Sequence, residues 1–366
     1  MGWPRPDFPA NVEFGPQLAC VTTDSARIVW RTLAPVRGAV EVRRPDGEWR
    51  AVPGAAEAAR AHDIQLAGLG AASRVEYRIL HDGRAAGDVH AFRMPSPAPF
   101  TFAVIGDSGS GGEGQYAVRS VMEEINPAFV LHVGDLAYDK GSRVEAIRRH
   151  FTPYRDLLAT RPWYVAWGNH DVMTAGGVGL RKLFRMPPST TEGDNRYYAF
   201  DWGELRVWAL DFNMEWGKGS PQYDWFKRDL ESSNARWKVV FGHYPSYSSS
   251  PYARSYRKRW EQSRAELCPL FEANCVALYF CGHTHGYERT FPIRDQKRVG
   301  RGEGTVHVVC GGGGKRLNRA GREEWTAVSG ATLECMAIEV GVDSIVARAI
   351  NANGKEFDRF TIPAPR

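Results

Sequence analysis

Five apolar runs in the second part of the chain end in the same way, and this repetition constrains the fold more than any other feature. Each run ends in a glycine that is followed at once by a side chain able to bind a metal ion. In α/β sheets, ligands bind beyond the carboxyl ends of strands, where glycine permits a tight turn and a close approach of the backbone. We therefore expect the five endings to meet in space. They are Gly106-Asp107, Gly134-Asp135, Gly168-Asn169-His170, Gly242-His243 and Gly282-His283.

Strand-like and helical segments alternate in the region that carries these endings. Apolar runs such as FTFAVIGD, FVLHVGDLAY and WYVAWGNHD are separated by segments with helical patterns. This alternation predicts an α/β layered domain. The last thirty-odd residues return to an alternating β pattern around an Asn-Gly turn, and we expect them to complete a sheet. The predicted helices lie near residues 114–125, 142–159, 222–233 and 256–272.

The first quarter of the chain has a different pattern. Residues 17–94 contain short β-branched and aromatic runs, separated by turn signals such as Pro-Asp-Gly at 45–47. Short strands at this spacing predict an antiparallel sandwich. The proline-rich MPSPAPF at 94–100 is typical of a linker. We therefore expect two domains, an all-β sandwich over residues 1–97 and an α/β domain over residues 98–366.

Composition and charge exclude several classes of protein. The hydrophobic content of 43% is ample for a buried core, and no run approaches the roughly 20 apolar residues of a membrane helix. The start, MGWPRPDFPA, lacks the pattern of a signal peptide, so we expect either a protein that stays inside the cell or a chain without its export signal. A net charge of +5, spread along the chain, favours anionic substrates slightly and predicts neither a nucleic-acid nor a membrane partner.

The six cysteines show no C-x-x-C pair, which argues against a zinc ribbon and a thioredoxin motif. Cys268 and Cys275 could form a disulfide. Cys281 and Cys310 lie in apolar runs that are typical of strands, so we expect them to be buried free thiols.

The side chains at the five endings suit a pair of metal ions better than a single one. Each ending by itself is a common turn, but together they supply Asp, Asn and His groups in numbers that fit two cations sharing a bridging ligand. His283 and His285 are two residues apart, and in an extended backbone such residues face the same side. Both imidazoles can therefore reach one site.

The ordered motifs GDSG (106–109), GDLAY (134–138), GNHD (168–171), VVFGH (239–243) and GHTH (282–285) resemble those of the purple acid phosphatases, within the calcineurin-like metallophosphoesterases. The resemblance runs from about residue 100 to the end, and the preceding sandwich resembles the fibronectin type III-like domain of the plant-type enzymes. It implies an αββα sandwich for the second domain. The GDxxY motif is specific to the purple group because it adds a tyrosine ligand.

The resemblance also implies the metal ligands. A ferric ion would be held beside a divalent ion, which is Zn, Fe or Mn, and Asp135 would bridge the two. The ferric ligands would be Asp107, Asp135, Tyr138 and His285, and the divalent ligands Asp135, Asn169, His243 and His283.

The activity that the resemblance implies is hydrolysis of phosphate monoesters by attack of a metal-bound hydroxide on phosphorus. His170 would face a small phosphorylated substrate, as a catalytic residue or as a histidine that fixes its loop. Two alternatives remain open, a phosphodiesterase of the same fold and a non-catalytic metal-containing binding protein. The family also favours an extracytoplasmic location, whereas the oligomeric state stays undetermined.

Several neighbouring residues leave more than one interpretation. Plant-type members carry histidines that protonate the leaving group after the VxxH motif, where this chain has Tyr252 and Ala253, so its leaving-group acid and optimum pH are open. The segment CGGGGKR at 310–316 lacks the Ser or Thr of a P-loop and is better explained as a glycine turn near the metal centre. His132 is expected in the core. Asp171, Glu288 and Arg289 could orient the imidazoles or form ordinary surface ion pairs.

Overall fold

The first part of the chain forms two antiparallel sheets in this computed structural model, which describes residues 8–188 and 195–365. The first seven residues of MGWPRPDFPA lie outside the described range. One sheet has the order β1-β2-β5, and the other has the order β4-β3-β6-β7, with β8 also paired to β6. The strands are β1 (Val12–Ala19), β2 (Ala26–Val36), β3 (Gly38–Arg43), β4 (Arg50–Pro53), β5 (Ala59–Leu66), β6 (Arg74–His81), β7 (Arg84–Ala85) and β8 (His90–Arg93).

Alternating burial explains why these strands pack as a sandwich. In β6, Val75, Tyr77 and Ile79 are buried, whereas the residues between them are partly exposed. Because side chains on a strand alternate between faces, this pattern places one face of the sheet in a core and the other in solvent. The predicted all-β sandwich is confirmed; its assignment to the fibronectin type stays a prediction, as does the domain boundary after residue 97.

The second part contains two larger sheets. A six-stranded sheet has the order β11-β10-β9-β21-β22-β23, and a seven-stranded sheet has the order β12-β13-β14-β15-β19-β16-β20. The strands are β9 (Phe100–Ile105), β10 (Val130–His132), β11 (Trp163–Val165), β12 (Tyr198–Trp202), β13 (Leu205–Ala209), β14 (Trp237–Phe241), β15 (Leu278–Cys281), β16 (Tyr287–Thr290), β17 (Ile293–Arg294), β18 (Lys297–Arg298), β19 (Val306–Cys310), β20 (Thr326–Gly330), β21 (Glu334–Val340), β22 (Ser344–Asn351) and β23 (Glu356–Pro363).

Helices cover the outer faces of both sheets. Phe102 of β9 meets Phe280 of β15 edge to face, which places the two sheets against each other. The helix α1 packs on β9 and β21, while Phe226 of α5 and Phe271 of α7 pack on the other sheet. The predicted α/β layered domain is therefore confirmed. The helices are α1 (Glu113–Ile125), α2 (Arg143–Ala146), α3 (Arg155–Thr160), α4 (Val178–Arg181), α5 (Pro221–Ser232), α6 (Arg257–Glu266) and α7 (Cys268–Ala273).

Two predicted helices are interrupted, and a proline explains each interruption. The segment expected at 142–159 breaks into α2, a π-helical turn at Ile147–Phe151, and α3. Pro153 has no N–H for the carbonyl of Arg149, which instead accepts a hydrogen bond from the side chain of Gln115 at 2.6 Å. The segment expected at 256–272 divides at Leu267, two residues before Pro269, which likewise cannot donate.

The two parts of the chain pack against each other. The rings of Phe14 and Phe151 lie 4.5 Å apart, and the hydroxyl of Tyr77 donates to the carbonyl of Ala159 at 2.7 Å. Met94, in the segment predicted to be a linker, is buried in the same core. The two ends of this segment, Met94 and Phe100, are therefore held by packing, while Pro97 and Pro99 between them are exposed.

The cysteines differ from the expectation at one point. Cys268 and Cys275 are free thiols, as are the other four, so the disulfide considered between them is not formed. Cys268 is buried at the start of α7, whereas Cys275 is exposed beyond its end. Cys281 and Cys310 are buried, as expected. Among the described residues, no helix is both long enough and apolar enough to cross a bilayer.

Candidate metal centre

The strand ends that carry the glycine motifs meet at one edge of the two sheets. Strands β9, β10 and β11 are parallel neighbours in one sheet, and β14 and β15 are parallel neighbours in the other. Their carboxyl ends therefore point the same way, and the loops that follow them converge. This arrangement brings together all seven side chains that the resemblance marks as metal ligands.

One half of the centre contains Tyr138, Asp107 and His285. The Tyr138 hydroxyl lies 3.0 Å from Asp107 Oδ1 and 3.1 Å from His285 Nε2. His285 Nε2 lies 3.5 Å from Asp107 Oδ1. A phenol, a carboxylate and an imidazole thus present their donor atoms to one small volume.

The other half contains Asn169, His243 and His283. The amide oxygen of Asn169 lies 2.8 Å from His283 Nδ1 and 3.1 Å from His243 Nε2. The two ring nitrogens are 3.3 Å apart. Three donor atoms from three loops therefore converge a second time.

The carboxylate of Asp135 lies between the two halves. An oxygen of Asp135 forms a group with Asp107 and His285 whose ligand atoms all lie within 4.8 Å of one another. Its Oδ2 lies 3.6 Å from His243 Nε2, in the other half. Among the seven side chains, Asp135 is thus placed to serve both halves.

Backbone carbonyls orient two of the imidazoles. His243 Nδ1 lies 2.9 Å from the carbonyl oxygen of Val133, and His285 Nδ1 lies 2.8 Å from that of Arg316. A carbonyl only accepts, so each Nδ1 carries a proton, which leaves Nε2 as the ring nitrogen that faces the centre. Metal-binding histidines commonly use their second nitrogen in this way.

The donor set needs a cation to be electrostatically satisfied. With Nδ1 as its N–H donor, a neutral His243 ring would present a lone pair on Nε2 to the amide oxygen of Asn169, and two acceptors repel unless a positive charge lies between them. Burial, followed by the carboxylates of Asp107 and Asp135, raises the pKa of Tyr138 well above its usual value. Burial, followed by the neighbouring His243 and other basic groups, lowers the pKa of His283 to about 2. These residues fit a metal centre, because a multivalent cation stabilises both a phenolate and neutral imidazoles.

Close approach explains the glycines at two of the endings. A Cβ at Gly168 would lie 2.0 Å from Asp135 Oδ1, and a Cβ at Gly282 would lie 2.2 Å from Asp107 Oδ2. Real Cβ atoms do not approach oxygen so closely, so only glycine leaves room for the carboxylates. The glycines of these two motifs thus leave the space that the carboxylates of Asp135 and Asp107 occupy.

Three of the ligand positions have a strained backbone. Asp107, Asp135 and His283 have φ angles of 54°, 57° and 64°, in the left-handed region that side chains disfavour. Such conformations cost about 1 kcal/mol or more each and cluster at functional sites. The surrounding hydrogen bonds must hold these loops in place.

Asp171 supplies part of that support. Its buried carboxylate accepts the backbone N–H groups of Asp135 at 2.8 Å, Leu136 at 2.9 Å and Gly168 at 2.9 Å. The expectation that Asp171 orients an imidazole or forms a surface ion pair is therefore wrong. It binds backbone N–H groups because the loops at 134–137 and 168–171 approach each other there.

Glu288 and Arg289 also differ from the expectation that they orient imidazoles. Glu288 is buried and accepts hydrogen bonds from the N–H of Ser249 and the hydroxyl of Thr326. Arg289 forms a largely buried ion pair with Asp358, rather than the surface ion pair that was the alternative considered for it. His132 is buried and hydrogen-bonded to Ser108 at 2.8 Å, so its expected place in the core is confirmed.

The side chains around the mouth of the centre include His170. Its Nδ1 lies 2.6 Å from the carbonyl oxygen of Asp139, and its ring lies 4.6 Å from that of Tyr138. The neighbouring Tyr252 is 43% exposed, with its ring 5.5 Å from that of His283, whereas Ala253 is buried. Of the two residues at the position of the plant-type histidines, only Tyr252 thus reaches the mouth.

Two basic side chains near the centre were missed at the level of sequence. Lys315 Nζ lies 4.1 Å from the centre of the Tyr138 ring and 2.9 Å from Asp139 Oδ1. The Arg259 guanidinium lies 4.5 Å from the Tyr244 ring, which contacts His283. The only signal for Lys315 is its place after the glycine run expected near the metal centre, and nothing in the sequence points to Arg259.

Comparison with known proteins agrees with this geometry. Residues 87–287, more than half of the chain, match the model of the family described as calcineurin-like phosphoesterase. Purple acid phosphatase 18 of Arabidopsis thaliana is 29% identical over 249 residues, which cover 63% of this chain and 53% of that protein. The probable inactive purple acid phosphatase 9 of the same plant is also 29% identical, over 59% of this chain and 38% of that protein.

The fold of the whole chain is also found in a solved structure. Purple acid phosphatase PPD1 from yellow lupin (Lupinus luteus) seeds superposes with a TM-score of 0.85 at 19% identity, covering 98% of this chain and 75% of that one. The chain spans about half the length, or less, of the two Arabidopsis proteins. From the matched family model, the chain belongs to the calcineurin-like phosphoesterases.

Proposed function

We propose that this protein is a binuclear-metal phosphatase that hydrolyses phosphate monoesters. The observation that carries the proposal is the position of Asp135 between two clusters of metal-binding atoms. Two cations held roughly 4 Å apart are the arrangement by which many enzymes hydrolyse phosphate esters. The family match and the purple acid phosphatase relatives support the same reaction.

The two donor sets suit different ions. Asp107, Asp135, Tyr138 and His285 combine carboxylates with a phenol, and a hard ferric ion favours such oxygen ligands. Asn169, His243 and His283, with Asp135, form a less charged set that suits Zn, Fe or Mn in the divalent state. When bound, the pair of cations would lower the pKa of water and neutralise charge on the phosphoryl group.

The chain's own residues bind and orient the substrate in this proposal. His170 is held through Nδ1 by the Asp139 carbonyl, which leaves Nε2 as the ring nitrogen available to a phosphate oxygen. The ammonium group of Lys315 lies beside Tyr138 but pairs with Asp139 at 2.9 Å, so it would attract the phosphate dianion as part of that ion pair. A small phosphorylated molecule fits these groups.

The leaving-group side has an unusual side chain for a purple acid phosphatase. Burial, followed by the carboxylates of Asp107 and Asp135, raises the pKa of Tyr252, so its hydroxyl stays protonated and is a weak acid. A weak acid gives little help to a poor leaving group. The proposal therefore favours esters whose leaving group is already stable as an anion, such as aryl phosphates.

The test is hydrolysis of p-nitrophenyl phosphate by protein loaded with iron and zinc. Turnover that is lost on chelation and restored by both metals would support the phosphatase. Two tightly bound metals without turnover would favour the alternative of a non-catalytic binding protein. One relative, the probable inactive purple acid phosphatase 9, has a name that is consistent with this alternative.

A phosphodiesterase is the second candidate. The exposed ring of Tyr252 in place of a histidine favours it, because a diester bears a second organic group that can pack against an aromatic surface. Comparing bis-p-nitrophenyl phosphate with the monoester would decide between the two. The extracytoplasmic location that the family resemblance favours stays a prediction.

A further inference from the structure

A cavity lies at the end of the seven-stranded sheet that is remote from the metal centre. Its volume is about 370 Å³, and Val306 at the start of β19 lines it. The opposite end of β19, at Cys310, leads into the glycine loop, where the N–H of Lys315 donates to the carbonyl of Asp107. Five residues of strand, roughly 13 Å, therefore separate the cavity from the start of that loop.

Four arginines line this cavity, and two of them are neutralised by carboxylates. Arg289 donates two hydrogen bonds to Asp358, at 2.7 and 3.0 Å. Arg359 donates two to Glu356, at 2.7 and 2.9 Å. Such two-point pairs use the donors of the guanidinium and cancel its charge, so these arginines serve the fold.

The other two arginines, Arg298 and Arg301, have no carboxylate within 4.0 Å among the residues that the structure describes. The Arg298 guanidinium lies 3.5 Å from the centre of the Phe291 ring. Stacking orients the group but leaves its N–H donors free, because they lie in its plane. Glu303, in the same loop, accepts the N–H of Gly300 and forms no ion pair with either arginine. The two unpaired guanidinium groups outnumber this one carboxylate, so the cavity has an excess of positive charge.

We propose that this cavity is a binding site for a small organic phosphate. Two unpaired guanidinium groups match a dianion better than a singly charged carboxylate, and their forked donors fit phosphate oxygens. Phe291, Phe360 and Val299 give the cavity an apolar wall for the organic part of the ligand. The volume is in the range of roughly 300 to 1,000 Å³ that is usual for small-molecule sites.

This inference does not depend on the proposed phosphatase activity. The cavity contains none of the expected metal ligands, and its arginines lie outside the centre. Phenylphosphonate is a suitable probe because it carries a phosphate-like dianion and an aromatic ring, and a phosphatase cannot hydrolyse it. Isothermal titration calorimetry of the full chain as purified, at mildly alkaline pH, measures both its affinity and its stoichiometry.

The double variant Arg298→Gln, Arg301→Gln should bind one equivalent of phenylphosphonate fewer than the wild-type protein does. If that equivalent still binds, its dissociation constant should be at least about tenfold higher than in the wild type. The matched control is Arg359→Gln, which changes a paired arginine of the same cavity and should keep the wild-type stoichiometry. Both arginines of the double variant are exposed, so its thermal unfolding should match that of the wild type.

Other outcomes would overturn the assignment. Equal stoichiometry and affinity in the wild type and the double variant would show that the cavity does not bind the probe, and an equal loss in the control would show a general effect of charge. Inorganic phosphate that binds the cavity as tightly as phenylphosphonate would exclude a role for the apolar wall. Equally tight binding of benzoate would exclude the preference for a dianion.

Discussion

The carboxylate of Asp171 accepts the backbone N–H of Asp135 at 2.8 Å, deep in the protein. The same carboxylate accepts the N–H of Gly168, which directly precedes Asn169. The Asp171 side chain thus forms hydrogen bonds with two loops, the one that carries the expected bridging ligand Asp135 and the one that carries the expected divalent ligand Asn169. The strained backbone at Asp135 makes such support necessary.

Replacing Asp171 by Ala should therefore destabilise the fold and weaken binding of both metals. The change leaves several buried N–H groups without an acceptor, and we expect a loss of roughly 3 kcal/mol or more in the free energy of unfolding. Urea unfolding in excess chelator would measure this loss, and metal analysis would measure occupancy. Asp201→Ala is the control, because the Asp201 side chain is 62% exposed and its ion pair with Arg206 should contribute less than about 1 kcal/mol. Equal stabilities of the two variants would contradict the role of Asp171.

Gly168→Ala should displace the loop that carries Asp135, since the added methyl group would lie 2.0 Å from Asp135 Oδ1 and 2.3 Å from its backbone nitrogen. We expect a marked loss of metal content, and circular dichroism checks that the chain still folds. Gly179→Ala is the matched control, because Gly179 is in α4 with nothing within 4 Å of its added Cβ, and alanine there should be neutral or stabilising by up to about 1 kcal/mol. Full metal occupancy in Gly168→Ala would show that the loop can move without cost.

Tyr138→Phe should abolish a visible absorption band of the iron-loaded protein. The hydroxyl is the part of this buried side chain that forms hydrogen bonds with Asp107 and His285, and its removal keeps the ring, which also lies edge to face with His285. A phenolate bound to ferric iron gives a charge-transfer band, whereas phenylalanine cannot. Absorption spectra at equal iron content provide the measurement, and circular dichroism checks the fold. A wild-type protein with ferric iron but no band would contradict a phenolate ligand.

Asp135→Asn should weaken both metals together. Its carboxylate lies within reach of Asp107 and His285 on one side and of His243 on the other. The neutral amide removes one negative charge from both halves at once, whereas Asn169→Ala removes a donor from one half only. Elemental analysis after dialysis compares the two variants. Two metals at full occupancy in Asp135→Asn would exclude a bridging role.

The convergence of the five loops could be predicted from the sequence because strand ends follow a general rule. Parallel neighbours place their carboxyl ends at one edge, so glycines and polar residues after apolar runs already indicate a common site. The role of Asp171 could not be predicted in this way. Its partners are backbone N–H groups, which no pattern of side chains reveals.

The interruptions of two helices could not be predicted from the local pattern either. Helical periodicity is present on both sides of Pro153 and of Pro269, so it predicts one helix at each place where the structure has two. The position of Lys315 above Tyr138 depends on a glycine loop that lies far along the chain from Asp107 and donates a hydrogen bond to its carbonyl. Local patterns do not contain such distant contacts.

A buried histidine remote from the expected ligands predicts how stability depends on pH. His150 lies among aromatic rings, and neither of its ring nitrogens has a hydrogen-bond partner among the described residues. Burial lowers the pKa of His150 from 6.5 to about 3. The unfolded chain therefore takes up a proton at higher pH than the folded chain does. The contribution to stability is present above about pH 6.5 and is lost as the pH falls towards 3.

His150→Phe should reduce this acid sensitivity, because phenylalanine fits an aromatic environment and does not titrate. Between about pH 7 and about pH 5, the wild type should lose about 2 kcal/mol more of its free energy of unfolding than the variant. Urea unfolding at a series of pH values, in excess chelator so that metal release does not contribute, measures the difference. His307, whose pKa burial also lowers to about 3, remains in both proteins, so part of the slope should persist. Identical slopes would mean that His150 is protonated in the folded state or reaches water.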